Sequence, residues 1–141
     1  MAQEDKELLL KDICARLPYG VKTCTYIPHI GGGGETIERT LDSITIDKLM
    51  GSTLYTNEKP YLRPMSSMTE DEKKDVSILL NYEFYIDDDC DLVAEDDRHR
   101  ISLDLMQVYI DWLNSHHFDY RGLIEKYLAI AITEENNPYK E

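Results

Sequence analysis

One stretch constrains this chain more than any other. Lys59–Lys74, KPYLRPMSSMTEDEKK, separates a part patterned at period two from a part patterned at the helical period. Pro60 and Pro64 bias the residues before them, Lys59 and Arg63, toward extended backbone, so the first part of the stretch reads as a strap leaving a β region. At Thr69 the pattern changes. Thr69 with Glu72 three residues on is a capping box, and Glu70 and Asp71 place negative charge in the first turn, where the helix dipole favours it. A helix is predicted from Thr69 to about Asn81, with Val76, Leu79 and Leu80 on its buried face.

Upstream, Leu8, Leu9, Ile13 and Leu17 recur at helical spacing over Glu4–Leu17, with Asp5, Lys6, Lys11, Asp12 and Arg16 on the other side and Pro18 and Gly20 as the stop. Val21 to Ile27 reads as a strand, and Gly31–Gly34 as a flexible turn. Thr36–Leu41 and Asp42–Leu49 alternate as second and third strands; Gly51 and Ser52 turn the chain into a short fourth, Thr53–Thr56. Downstream, Tyr82, Phe84 and Ile86 alternate as a strand. Asp87–Asp91 and Glu95–Asp97 are charged loop runs, and Ile101 ends a short second strand. Leu103–His116 carries a broad apolar face (Leu105, Met106, Tyr109, Ile110, Trp112, Leu113) capped by Ser102 or Asp104. Phe118–Gly122 is a turn, Leu123–Ile132 a last helix or an apolar packing segment, and Thr133–Glu141 a frayed polar tail. The expected fold is α+β in a single domain: an N-terminal helix (1–18), a small antiparallel sheet or barrel of SH3-like size (19–64), a mainly helical part (69–132) and a flexible tail (133–141).

With 28 acidic and 15 basic residues the 141-residue chain has a formal net charge of −13. A field of that sign repels phosphate, so direct nucleic-acid binding is not expected. It suits a basic protein partner, or imitation of a nucleic acid to block a protein that binds one. Three cysteines, Cys14, Cys24 and Cys90, have no metal spacing and suit reduced thiols. The N-terminus, MAQEDKELLLKD, is acidic where a secretory leader needs base, and no run approaches the ~20 apolar residues of a membrane span. A cytoplasmic protein without membrane contact is expected.

Sites of chemistry are hard to assemble. Glu35 and Thr36 follow the glycines where a phosphate loop needs Lys and Ser or Thr. Asp87, Asp89 and Asp91 open a calcium-loop register, but Leu92 stands in place of its turn glycine and Arg98 in place of its closing Glu. His116 and His117 are neighbours about 100° apart on a helix and do not converge on one metal. No cysteine is marked as activated. The expectation is a protein that is not an enzyme, with no catalytic, metal or cofactor residues. Aromatic and Arg residues are enriched at interfaces, which makes Tyr61, Arg63, Tyr120 and Arg121 the candidate partner contacts.

Three blocks, LLLKDICARLPYGVK (Leu8–Lys22), KPYLRPMSSMTEDEKK (Lys59–Lys74) and WLNSHHFDYRGLIEKYLAIA (Trp112–Ala131), occur in an order and spacing that resembles a family of small proteins in gut Bacteroidales, frequent in their phages, prophages and mobile elements. Gly31–Gly34 departs from that pattern, and Tyr127 stands where the similar proteins often carry Gly. The resemblance implies a phage-related accessory role and transfers no catalytic residue. The function expected is therefore a non-enzymatic protein-interaction module with an unidentified, basic partner. The alternatives are an acidic nucleic-acid mimic that inhibits a host defence or regulatory protein, and an enzyme of unknown class.

Overall fold

A computed structural model describes residues 2–42, 58–95 and 102–140. The strands expected over 43–49 and 53–56, the turn at 51–52, the acidic pair 96–97 and the strand end at Ile101 lie outside the described residues.

Helix α1, Gln3–Arg16, runs into a 3₁₀ turn at Leu17–Tyr19, and Gly20 closes it at φ 67°. Its apolar spacing buries Leu9 and Ile13. It also buries Asp12 and Arg16 completely, which corrects their placement away from the core face. Two opposite charges one turn apart satisfy each other, and further partners supplied by distant chain complete the site.

Strand β1, Lys22–Pro28, pairs antiparallel with β2, Gly34–Thr40, in unbroken register from Lys22↔Thr40 to Pro28↔Gly34. Gly31, Gly32 and Gly33 make the hairpin loop at φ 97°, 111° and 71°, angles that a side chain strains. Gly34 is demanded by proximity instead: a Cβ there would meet the Ile27 carbonyl oxygen at 2.7 Å.

Strand β3, Lys59–Leu62, pairs antiparallel with the other edge of β1, and the segment expected to be a strap is thus an inner strand of the sheet. After β3 a 3₁₀ turn, Met65–Ser67, leads to α2, Glu70–Leu79, with both halves of the Thr69–Glu72 capping box formed. Val76 and Leu80 are buried, but Leu79 is 51% exposed, against expectation. Leu79 points about 100° round the helix from Leu80, off the Val76–Leu80 line that faces the core, and Asn81 and Tyr82 then reverse the chain at φ 58° and 61°.

Strands β4, Phe84–Ile86, and β5, Leu92–Ala94, form a hairpin whose turn is closed by the Asp87 carboxylate, which accepts from Asp89 N–H (3.0 Å) and Asp91 N–H (2.8 Å). β5 follows this tight acidic turn directly, between the two acidic runs of the sequence. Helix α3, Leu103–Ser115, is capped by Ser102, whose Oγ accepts from Leu105 N–H.

The segment after α3 is neither a helix nor a plain packing run. Asp119 holds it in turns, accepting from Leu123 and Ile124 N–H at 2.9 Å each, and β6, Ile130–Ala131, then pairs parallel with β3. The sheet order is β2-β1-β3-β6, so the expected antiparallel sheet gains a parallel edge. One apolar cluster packs α1 and the Leu123–Ala129 turns on the sheet, around Ile13, Val21 and Leu62. A second packs α2, β4, β5 and α3 around Val76, Phe84, Leu113 and Phe118. The result is one small α+β domain with an N-terminal helix. No described helix is long and apolar enough to cross a membrane.

Candidate functional site

Three of the four candidate contact residues make hydrogen bonds inside the molecule, and the fourth, Tyr120, is covered by two guanidiniums while its buried hydroxyl has no hydrogen-bond partner among the described residues. Tyr61 is buried; its hydroxyl donates to Glu38 (2.8 Å), and burial pushes its ionisation far up. Arg63 follows β3. Its N–H donates to the His117 carbonyl (2.7 Å), and its own carbonyl accepts from Asp119 N–H (2.8 Å). Its guanidinium lies 4.1 Å from the Phe118 ring centroid and reaches both Glu72 oxygens at 2.7 Å. This fork holds the Glu72 carboxyl at about 2. Glu72 also accepts from Thr69 N–H, so one carboxylate joins the helix cap to the end of the strand.

Tyr120 and Arg121 belong to a second junction. Arg16 donates to Asp12 at 2.7 and 3.1 Å and to the Phe118 carbonyl at 2.5 Å, and Arg121 reaches the same Asp12 at 3.3 Å. The two guanidiniums lie 5.3 and 4.8 Å from the Tyr120 ring centroid. On the sheet, Thr23, Thr25 and Arg39 converge on the fully buried Glu58. Burial pushes that carboxyl up, but the bonds from Arg39, Thr23 and Thr25 outweigh it and hold it below the usual range.

Sequence reasoning missed Asp12, Arg16 and Glu58. The Asp12–Arg16 spacing of four was a legible pair signal. Nothing local announces that Arg121 or Thr23 completes the networks.

The surface offers a different site. Tyr19, Leu79, Val108, Asp111, Trp112 and Ser115 line a mainly apolar groove of about 330 Å³. Val108, Asp111, Trp112 and Ser115 stand at i, i+3, i+4 and i+7, one stripe of α3, which explains why they share a wall. Leu79, the last residue of α2, and Tyr19, from the turn that stops α1, complete the lining. Ile78 and Tyr82, 54% and 67% exposed, stand beside Leu79 in the chain. Trp112 is held by stacking on His116 at 4.1 Å.

Little here favours nucleophilic or metal chemistry. The Cys90 thiol is pushed up by burial and donates to the Met65 carbonyl. Among the described residues no three His, Cys, Asp or Glu side chains group to hold a metal ion. Asp87, first of the calcium-register acids, is taken up in closing its own turn. Comparison with protein-family models, with curated proteins and with solved structures finds no match to this chain.

Proposed function

We propose that this chain is a non-enzymatic protein-interaction module that takes a basic, amphipathic helical segment of another protein into the groove between α2 and α3. The observation that carries this reading is the apolar wall of half-exposed Leu79 and partly buried Val108 and Trp112, with Asp111 at its edge. An amphipathic helix seats anchors at i, i+3, i+4 and i+7 in a groove of this kind, and aromatic side chains carry most of such binding. Charge selects the occupant. A second copy would bring another −13, whereas a basic segment is attracted to the same field. The three free thiols suit a reducing cytoplasm as the place of action. The resemblance to small proteins of Bacteroidales phages and mobile elements supports an accessory role toward a host or phage protein.

Trp112 is the single tryptophan, so its fluorescence reports the groove directly. Titration with a Leu/Lys amphipathic peptide is expected to give a saturable change below about 100 µM, weakened by salt, while a Leu/Glu peptide of the same pattern gives none. Leu79→Lys is expected to abolish the response while leaving the melting temperature in place, because Leu79 is half in solvent. Equal binding by Leu79→Lys, or by the acidic peptide, would overturn the reading.

A further inference from the structure

A second cleft, of about 430 Å³, lies past the end of α3 and is chemically unlike its surroundings. None of the seven residues lining it is acidic, in a chain with 28 acidic and 15 basic residues. The groove described above has Asp111 in its wall, and a third cleft, beside Pro64 and Tyr120, has Asp119 and Glu125. Here the polar lining is Arg63, Ser115, His116, His117, Asn137 and Tyr139.

These side chains are fixed in place and keep donors to spare. Arg63 gives its two terminal nitrogens to Glu72 and Ser67, which leaves Nε. His116 uses Nδ1 against the Trp112 carbonyl and Ser115 Oγ, which leaves Nε2, a donor to an anion once that nitrogen also carries a proton. Asn137 accepts from Tyr139 N–H through Oδ1, which leaves its amide nitrogen. His117 has a buried Nδ1 with no hydrogen-bond partner among the described residues. His116 stacks on Trp112 and His117 stacks on Tyr139, with centroids 4.1 and 3.9 Å apart, so both imidazoles are held before any ligand arrives.

We propose that this cleft binds a small oxyanion, phosphate-like or carboxylate, through Arg63 Nε, His116 Nε2 and the Asn137 amide, with His117 behind them. The charges facing His117 from the packed elements favour an anion. Arg16 and its partner Arg121, Arg63 across the junction and Lys22 beside the tail are cations; Asp12 and Glu72 are the carboxylates bonded to the arginines, and Asp119 is taken up by the Leu123 and Ile124 N–H groups. Burial, then Arg16, His116 and Arg63, lower His117 to about 4, so the imidazole already senses positive surroundings. An anion relieves that repulsion and favours a proton on His117. Binding therefore tightens as pH falls. The cleft adjoins the peptide groove, sharing Ser115 with it, but does not include Leu79, so Leu79→Lys leaves it intact.

The test is NMR of the histidine ring nitrogens and the Asn137 side-chain amide during titration with sulfate or acetate, against sodium chloride at matched ionic strength. Both probes keep their charge between about pH 6 and about pH 8, which isolates the protein's protonation. Saturable shifts at His116, His117 and Asn137, several-fold tighter at the lower pH and weakened roughly tenfold by His116→Gln, are the expected result. Stronger sulfate binding assigns a phosphate-like ligand, and stronger acetate binding a carboxylate. Asn137→Ala, which removes an exposed side chain, is a second variant and is expected to weaken binding several-fold without unfolding. Shifts that follow chloride equally, that ignore pH, or that persist unchanged in both variants would overturn the proposal.

Discussion

Arg63 illustrates what a single side chain does here. Its fork on Glu72 and its contact with Phe118 join β3, the cap of α2 and the exit of α3. Arg63→Ala leaves Glu72 with a cap but no cation and removes the packing on Phe118. A loss of about 2 kcal/mol in urea unfolding is expected, with peptide binding at the Trp112 groove unchanged. Tyr127 makes a contrasting case. It sits at φ 60° and is 81% exposed, so it carries the left-handed strain with little packing in return. Tyr127→Gly is expected to stabilise the fold by about 0.5–1 kcal/mol in the same measurement. Neither role shows in a periodicity count. Asp12 and Arg16 show why: charged residues one turn apart read as a pair on the far side of the helix until Arg121, 109 residues away from Asp12, turns the pair into a buried network.

Among the elements, α1, α2 and α3 were the most legible, because apolar spacing and caps are local: Thr69 with Glu72 and Ser102 with Leu105 form as their spacing requires. The strand pairings were less so. Two prolines made Lys59–Leu62 look like a connector, yet Leu62 is fully buried and β1 and β6 flank the strand. The polar C-terminal segment reads as frayed, but Tyr139 fastens it: its hydroxyl accepts from Lys22 N–H (2.7 Å) and donates to the Tyr61 carbonyl (3.0 Å), and burial pushes it up to about 12. Tyr139→Phe removes both bonds and leaves two backbone groups of the sheet short of a partner. A loss of about 1–2 kcal/mol is expected, with faster hydrogen exchange at the Lys22 amide as the local readout.

At the scale of the whole molecule, His117 and the carboxyls of Glu72 and Glu58, both held below their usual range, govern the response to acid. Folding lowers Glu72 from the usual 4.5 to about 2, so its stabilisation is complete above pH 4.5 and is lost as pH falls toward 2. Folding lowers His117 from 6.5 to about 4, so the unfolded chain binds the extra proton and stability falls from pH 6.5 down to 4. Each step is on the order of 2 kcal/mol. Thermal unfolding followed by circular dichroism is expected to show a melting temperature that declines in two stages below pH 6.5. His117→Gln is expected to flatten the upper stage, and Arg63→Ala the lower.

The amino-acid sequence by itself determined the class of the fold, the three helices, their caps and the acidic charge, because these follow from spacing and composition over a few residues. Tertiary structure alone decided which residues are available to a partner. Tyr61, Arg63, Tyr120 and Arg121 have the composition of an interface but are engaged by Glu38, Glu72, Arg16 and Asp12 from distant chain. Leu79 has the spacing of a core residue but is left at the surface because Val76 and Leu80 take the face that the rest of the chain covers. Whether a side chain is used inside or left outside depends on what the rest of the chain brings beside it, and local pattern does not carry that information.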